Sequence, residues 1–202
     1  VWGLAILCFL MSLYVGFMNL SYKLQKRKLQ KYPQVINENY KPFVSVLIPA
    51  HDEECVIANT VQNILDMDYE NFEVIVIDDR SVDNTASVIK DLEQKYDKVT
   101  ALIRPKDAFP GKSAVLNDAF KIAKGEAILV FDADATVDAD FLTTLIPHLE
   151  PKDVGAVQAR KVIRNKNTNL LTRCQNNEYT LDTYFQVGRD SVKGAVELRG
   201  NG

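Results

Sequence analysis

The sequence predicts an α/β domain built on a doubly wound, mostly parallel sheet and preceded by one transmembrane helix. Three observations carry that prediction. Between residues 44 and 134, short apolar runs alternate with stretches of helical periodicity in the order βαβαβαβ. Three of those runs break abruptly into carboxylates, as polar residues do at the carboxyl ends of strands in an open α/β sheet. The first 22 residues carry no charge, and a basic cluster follows them directly.

Residues 1–22 include Trp2, Phe9, Tyr14 and Phe17. About 20 apolar residues at about 1.5 Å each cross a hydrocarbon core of about 30 Å. The segment is too long for a signal-peptide core and has no basic region before it. A helix buried in a soluble core is the alternative, but such a helix would carry a polar stripe. Lys23, Lys26, Arg27, Lys28 and Lys31 then predict that the following chain stays on the cytosolic side of the cell membrane. They also favour an anionic leaflet, by on the order of 1 kcal/mol each. A merely solvated charge run is the bland reading of the same cluster. The predicted organisation is a transmembrane helix over 1–22, a basic juxtamembrane segment and linker over 23–42, and the α/β domain over 43–202, incomplete at its C-terminus. The chain opens on Val1 and closes on Arg199-Gly200-Asn201-Gly202 with no closing element, so a longer parent polypeptide is expected.

The elements follow in order. Residues 44–49 (VSVLIP) read as a buried strand, and Val56, Ile57, Val61, Ile64 and Leu65 as the apolar face of a helix. Residues 72–78 (FEVIVID) make a second strand. A helix over 83–96 presents Val88, Ile89, Leu92 and Tyr96, and residues 99–103 make a third strand. Another helix starts near Ser113, with Leu116, Ala119, Phe120 and Ala123 on one face, and Gly125 ends it. Residues 128–131 read as a strand buried on both faces. A short helix over 138–149, a loose strand over 154–163 and a polar-aromatic, mostly helical segment over 165–190 complete the reading.

Composition narrows the class. With 47% hydrophobic and 25% charged residues the chain is ordinary for a globular protein. A net charge of −3 argues against a nucleic-acid partner, which calls for a basic face. Cys8, Cys55 and Cys174 show neither metal-ligand spacing nor a paired framework, so unremarkable thiols in a reducing compartment are expected. His51 and His148 are too few and too far apart for a zinc site.

The chemistry is concentrated at strand ends. In EAILVFDAD, over residues 126–134, the apolar run stops at Asp132 and Asp134. In extended backbone, residues i and i+2 share a side, so the two carboxylates would converge on one divalent cation. A hard cation with waters left over suits a phosphate-bearing substrate. The first strand runs into His51-Asp52-Glu53-Glu54 and the second into Asp78-Asp79-Arg80-Ser81. A parallel sheet puts these ends on one rim, so Glu53, Asp79, Asp132 and Asp134 are expected to cluster around a cation or a donor-rich ligand. Asp52 and Asp83 stand at helix starts, where N-capping is the stronger account. Asp78 is expected to be buried against backbone, and Asp79 to reach a nucleotide base or ribose through its acceptor oxygens. Pro110-Gly111-Lys112-Ser113 is half of a phosphate loop: Gly111 allows close approach, Lys112 supplies charge, and the next helix offers free N–H groups. A surface lysine is the alternative for Lys112. No G-x-G-x-x-G turn follows the first strand, which argues against a nicotinamide-cofactor dehydrogenase.

Taken together, VSVLIPAHDEE, VIVIDDRSVDNT, PGKSAVLNDAF, AILVFDADATVDADFL and LRGNG resemble glycosyltransferase family 2, with its GT-A nucleotide-sugar-binding fold. The likeness covers residues 42–202, and the membrane span resembles the processive branch that makes cellulose, hyaluronan or poly-N-acetylglucosamine. The resemblance implies that Ala50, Glu53 and Asp79 line a base and ribose pocket, uracil being the usual base. It implies that Lys112 lies near the sugar diphosphate, that Asp132 contacts the nucleotide, and that Asp134, with Asp132, holds Mg²⁺ or Mn²⁺. His51 falls where packing is the expected role. Asn201 would sit near the donor sugar or acceptor, although an ordinary turn accounts equally well for Gly200-Asn201-Gly202.

The implied partners are a UDP-linked nucleotide sugar, a glycan or lipid-linked acceptor and the membrane. The implied reaction is inverting: an acceptor hydroxyl attacks the anomeric carbon while a carboxylate removes its proton. In the family that base, and a Gln-x-x-Arg-Trp motif, follow the Gly-Asn-Gly turn, so the base is expected beyond Gly202. Nucleotide-sugar binding with slow or no turnover is therefore expected of this chain. A polyprenyl-phosphate sugar synthase and a non-catalytic, membrane-tethered nucleotide-sugar sensor are the alternatives. A nucleotidyltransferase would carry a Gly-rich basic loop where His51-Asp52-Glu53-Glu54 stands.

Overall fold

A computed structural model of the chain describes residues 2–31, 36–159, 163 and 166–192. The chain divides into two compact units. One holds a long first helix, α1 (Trp2–Lys31), and a last helix, α6 (Leu170–Ser191); the other, Ile36–Val157, holds the sheet.

The sheet consists of β1 (Val44–Ala50), β2 (Phe72–Asp78), β3 (Val99–Ile103) and β4 (Ala127–Val130). All pairings are parallel and the order is β3-β2-β1-β4. Helices α2 (Ile57–Leu65), α3 (Thr85–Lys95) and α4 (Lys112–Phe120) make the connections, and α5 (Phe141–Leu145) runs into one 3-10 turn at Ile146–Leu149. The two-residue period of a strand divides each apolar run between two faces. Val44, Val46 and Ile48 with Phe72, Val74 and Val76 pack on Ile57, Val61 and Ile64 of α2 and Ile89 and Leu92 of α3. Leu47, Ile75 and Ile77 face the other way, onto Val115 and Ala119 of α4. Helices thus cover both faces, and each such side chain adds about 1.5–3 kcal/mol by leaving water.

The first three strands keep their expected places, and three details differ. β4 is not buried on both faces: it ends at Val130, lies at an edge of the sheet, and leaves Ile128 36% exposed. The buried face of α4 centres on Val115 and Ala119, so Phe120 turns outward. Residues 154–159 form no strand, and 160–162 lie outside the described residues. Cys8, Cys55 and Cys174 are free and exposed.

In the other unit, α1 continues without a break through the basic juxtamembrane cluster to Lys31, so that cluster extends the same helix. Its stretch Trp2–Gln30 is long and apolar enough to cross a membrane. Ser12 Oγ and Asn19 Nδ2 donate to the carbonyls of Cys8 and Val15, one turn back, which satisfies their polarity within the helix. Helix α6 starts on a capping box, Asn169 with Thr172. It packs on α1 through Tyr14 stacked on Phe185 and Tyr22 edge-on to Tyr184. A Cβ on Gly188 would stand 3.0 Å from the Met18 carbonyl oxygen.

At the amino edge of the sheet a buried polar knot fixes β4. Ser45 Oγ donates to Glu73 Oε1 at 2.7 Å. The Lys124 N–H donates to the same carboxylate at 2.8 Å, and the Gly125 N–H to Ser45 Oγ at 2.8 Å. Gly125 comes so close that an added Cβ would stand 2.3 Å from the Ser45 nitrogen and 2.7 Å from the Ala127 carbonyl oxygen. Both neighbours are backbone and cannot move aside. Gly125→Ala is therefore expected to cost about 3 kcal/mol, the upper end of overpacking penalties. Gly155→Ala, with nothing within 4 Å of its new Cβ, should stay within about 0.5 kcal/mol of the parent. Urea unfolding midpoints measure both.

Candidate functional site

The strand order reverses direction between β1 and β4, which makes their carboxyl ends a topological switch point. The loops that leave this edge are laced together. The N–H groups of Asp52, Glu53 and Glu54 donate to Ser81 Oγ, Thr85 Oγ1 and Asp83 Oδ2. In return the N–H groups of Val82 and Asn84 donate to Asp52 Oδ1 and Glu54 Oε2, each at 2.8 Å. Asp52 (φ 57°) and Arg80 (φ 63°) take left-handed backbone, a strained state that these cross-bonds hold.

Asp52 is consequently not the N-cap of α2; that position is Val56, without a side-chain cap, and Asp52 serves the neighbouring loop instead. Asp83 lies one residue before Asn84, the N-cap of α3, yet its Oδ1 accepts the Thr85 N–H. Burial pushes the Asp83 carboxyl upward, but hydrogen bonds from Thr85 and the Glu54 amide outweigh it and hold the group below the usual range.

Asp79 lies at the end of β2, held by two arginines. Arg104 Nη1 donates to its Oδ1 at 2.6 Å and Arg80 Nε to the same oxygen at 2.9 Å; Arg80 Nη2 reaches Oδ2 at 3.4 Å. Arg80 first, and then Arg104, keep this carboxyl below the usual range against the opposing effect of burial. Arg104 is itself buried and also donates to Asp118 Oδ2 at 3.0 Å and to the Phe109 carbonyl at 2.9 Å. Lys121, and then Arg104, hold Asp118 below the usual range as well.

Across the switch point, Lys112 at the start of α4 donates from Nζ to Asp132 Oδ1 at 2.6 Å. Gly111, at φ 111°, sets the chain entering that helix. The backbone after β4 is not extended here: the Ala135 N–H donates to the Asp132 carbonyl at 3.1 Å, closing a turn. The i, i+2 argument for two carboxylates on one strand face therefore fails. Ala133 is buried between a half-buried Asp132 and an exposed Asp134. Helix α2 pins the turn, since Thr60 Oγ1 donates to the Ala133 carbonyl at 2.6 Å. Asn63 exchanges two bonds with the Val137 backbone.

The other expected site residues fall as follows. Ala50 is buried, and its carbonyl accepts the Asp79 N–H at 2.8 Å. Glu53 is half-buried at the same edge. His51 does not pack into the core: its ring is 58% exposed, and Nδ1 donates to the Asp79 carbonyl at 2.7 Å. Asp78 is buried as expected, yet its Oδ1 has no hydrogen-bond partner among the described residues. Asn201 and its Gly-Asn-Gly turn lie outside the described residues.

Of the four carboxylates expected to cluster around a cation or a donor-rich ligand, Asp79 is paired with Arg80 and Arg104, and Asp132 with Lys112. Among the described residues no three acidic, histidine or cysteine side chains form a cage for a metal. Asp132 and Asp134 fit the sparser mode, in which one or two carboxylates share a hard cation with phosphate oxygens and water. Arg104, buried against Asp79 at this edge, is the residue that the sequence reading did not single out. Its signal was a charged residue ending the third strand, ahead of Pro105, at the rim where acids were sought.

Comparison with known proteins gives this edge a context. Residues 45–197 match the family model described as Glycosyl transferase family 2. The chain is 44% identical over 163 residues to the beta-monoglucosyldiacylglycerol synthase of Nostoc sp. (strain PCC 7120), covering 80% of this chain and 35% of that protein. It is 33% identical over 156 residues to the poly-beta-1,6-N-acetyl-D-glucosamine synthase of Staphylococcus epidermidis, covering 76% and 36%. It thus spans about a third of the length of these curated relatives. The mannosyltransferase PcManGT from Pyrobaculum calidifontis, solved with GDP-Man and Mn²⁺, shares its fold at a TM-score of 0.66 and 30% identity, over 80% of this chain and 48% of that one. The parallel sheet, its laced switch-point edge and a family match over most of its length make this chain a member of glycosyl transferase family 2, with a GT-A-like fold.

Proposed function

We propose that the chain carries the donor-binding half of an inverting, metal-dependent glycosyltransferase working at the cytosolic face of a membrane. The observation that carries this reading is the Lys112–Asp132 pair beside the exposed Asp134, at the switch point of the sheet. Here a cationic side chain, a helix N-terminus and two carboxylates meet the needs of a diphosphate and its counter-ion.

Lys112 exchanges Asp132 for phosphate oxygens when the nucleotide sugar enters, and the first N–H groups of α4 add further donors. Asp132 and Asp134 are the residues that would hold Mg²⁺ or Mn²⁺. The cation, when bound, neutralises charge on the departing nucleoside diphosphate. Asp79, pre-set by its arginines, offers Oδ2 to N–H or hydroxyl donors of the base or ribose, with Glu53 and the Ala50 backbone beside it. The acceptor hydroxyl bonds to the anomeric carbon as the bond from that carbon to phosphate breaks. The electron pair leaves with the diphosphate, and the proton goes to a base that we do not assign among the described residues.

For the donor we favour a UDP-sugar, from the resemblance of the strand-end motifs; the PcManGT complex with GDP-Man makes GDP the comparison to run. For the acceptor we favour a lipid hydroxyl of the diacylglycerol type. The support is the higher identity to the glucosyldiacylglycerol synthase, 44% against 33% for the polymer synthase. The apolar α1 adds the membrane setting. A growing polysaccharide is the second reading, which the polymer synthase supports.

Calorimetry of the chain with UDP and Mn²⁺ should show binding that weakens sharply when the metal is chelated. Asp134→Ala should remove that metal dependence, and Lys112→Ala should weaken binding about ten- to a hundredfold, the scale of one lost charge-assisted bond. No binding of UDP or GDP in the presence of metal would end the proposal.

The pH dependence follows from Asp79. Its folded-state carboxyl is held below the usual value. Its contribution is therefore complete above the unfolded value of about 3.9 and is lost as pH falls through the lower folded value. Urea midpoints between pH 6 and 3 should fall less for Asp79→Asn than for the parent. The limb will not vanish, because Asp83 and Asp118 are shifted the same way.

A further inference from the structure

Arg104 is buried at the carboxyl edge of the sheet, its side chain 3% exposed, and it touches three different elements. Its Nη1 holds Asp79 at the end of β2, its Nη2 holds the Phe109 carbonyl in the β3–α4 loop, and its Nε holds Asp118 on α4. Its own N–H donates to the Asp78 carbonyl at 3.1 Å. The guanidinium is a rigid planar fork, so these three partners are set relative to one another by a single group. Phe109 lies three residues before Lys112, and Asp118 lies on the helix that Lys112 begins. The alternating series Arg80–Asp79–Arg104–Asp118–Lys121 therefore runs from the β2–α3 loop to the far end of α4.

We propose that Arg104 is a positioning residue that locks Asp79, facing the base and ribose, to the loop and helix that carry Lys112, facing the diphosphate. The inference rests on the donor-site reading above for what the two ends bind, but the linkage itself is a property of the ligand-free chain. A nucleotide sugar then meets two recognition points already set at one spacing. An arginine that only stapled the fold would stabilise the domain without coupling those points.

The test has a ligand-free arm and a nucleotide arm. Backbone hydrogen exchange of the chain reads the Ala108, Ala114 and Val115 amides, which bond to Pro105 and Gly111 within the loop and the first turn of α4. Arg104→Lys keeps one charge but loses the fork, and should speed exchange at these amides at least about tenfold, with β1 and β2 unchanged. Asp79→Asn should speed the same amides, although it lies about 30 residues away in sequence. If Asp79→Asn leaves residues 108–115 unchanged, or if Arg104→Lys speeds the whole sheet equally, the linkage is overturned.

In the nucleotide arm, UDP with Mn²⁺ is titrated into Asp79→Asn, Lys112→Ala and the double variant. The double loss should fall short of the product of the two single losses in the parent, and should equal that product in the Arg104→Lys background. Equal products in both backgrounds overturn the proposal. Absence of nucleotide binding to the parent, with the exchange result intact, sinks the donor-site reading and leaves the linkage standing. Should Arg104→Lys fail to fold, Asp118→Ala removes one leg from a half-exposed position. Faster exchange at the same amides then supports the linkage, and unchanged exchange overturns it.

Discussion

Parallel pairing of β1 with β2 and β4 is the constraint from which the rest follows. Parallel strands must all finish on the same edge, and the crossover helices must return the chain along the faces. Every carboxylate that ends a strand in this sequence is thereby delivered to one rim. The strand order reverses between β1 and β4, so the rim has an opening where two loops diverge. The opposite edge is a fastening: Ser45, Glu73 and the backbone of Lys124 and Gly125 tie β4 to the middle of the sheet. A fixed amino edge allows the carboxyl edge to carry charge without losing its register.

Electrostatics then decides what that rim can be. Several acids converging on one edge would repel if left alone, and the chain answers with its own cations. Asp79 is matched by Arg80 and Arg104, Asp118 by Arg104 and Lys121, and Asp132 by Lys112. These pairs differ in depth, and the difference sorts their roles. Arg104 is enclosed, so breaking its bonds would strand a desolvated charge; such a group holds geometry. Lys112 is half-exposed on a flexible stem, so its pairing is open to exchange in the way the proposed phosphate contact requires. The rim thus combines a rigid half near β2 with an exchangeable half near β4.

Much of this was legible in the sequence, for identifiable reasons. The spans of β2 and β3 can be read because apolar runs bounded by charged and turn residues have little alternative in an α/β order. The capping assignment for Asp52 failed because a sequence shows which helix a residue precedes, not which neighbouring loop lies within reach. The β4 prediction failed on burial, since an apolar run says nothing about whether a further strand covers it. The Asp132–Asp134 argument failed because it assumed that extended backbone continues past Val130. Thr60 and Asn63 reach over from α2 to hold that segment, and pairing across more than 70 residues leaves no local signature.

The hardest part to read was the identity of the counter-charges. Acids at strand ends suggest a metal, because the cation most easily imagined is one the chain does not supply. The structure shows why that inference is incomplete. A rim that kept four unpaired carboxylates waiting for an ion would have a folded state that depended on the ion. Pairing Asp79 within the chain removes that dependence, and leaves the Asp132–Asp134 end for the metal and diphosphate proposed above. Arg104 makes the division possible: enclosed beneath the rim, it pairs with Asp79 at the β2 end while its other contacts reach α4. A permanently balanced half beside an exchangeable half is what the proposed site needs if it is to release a diphosphate without unfolding its own rim.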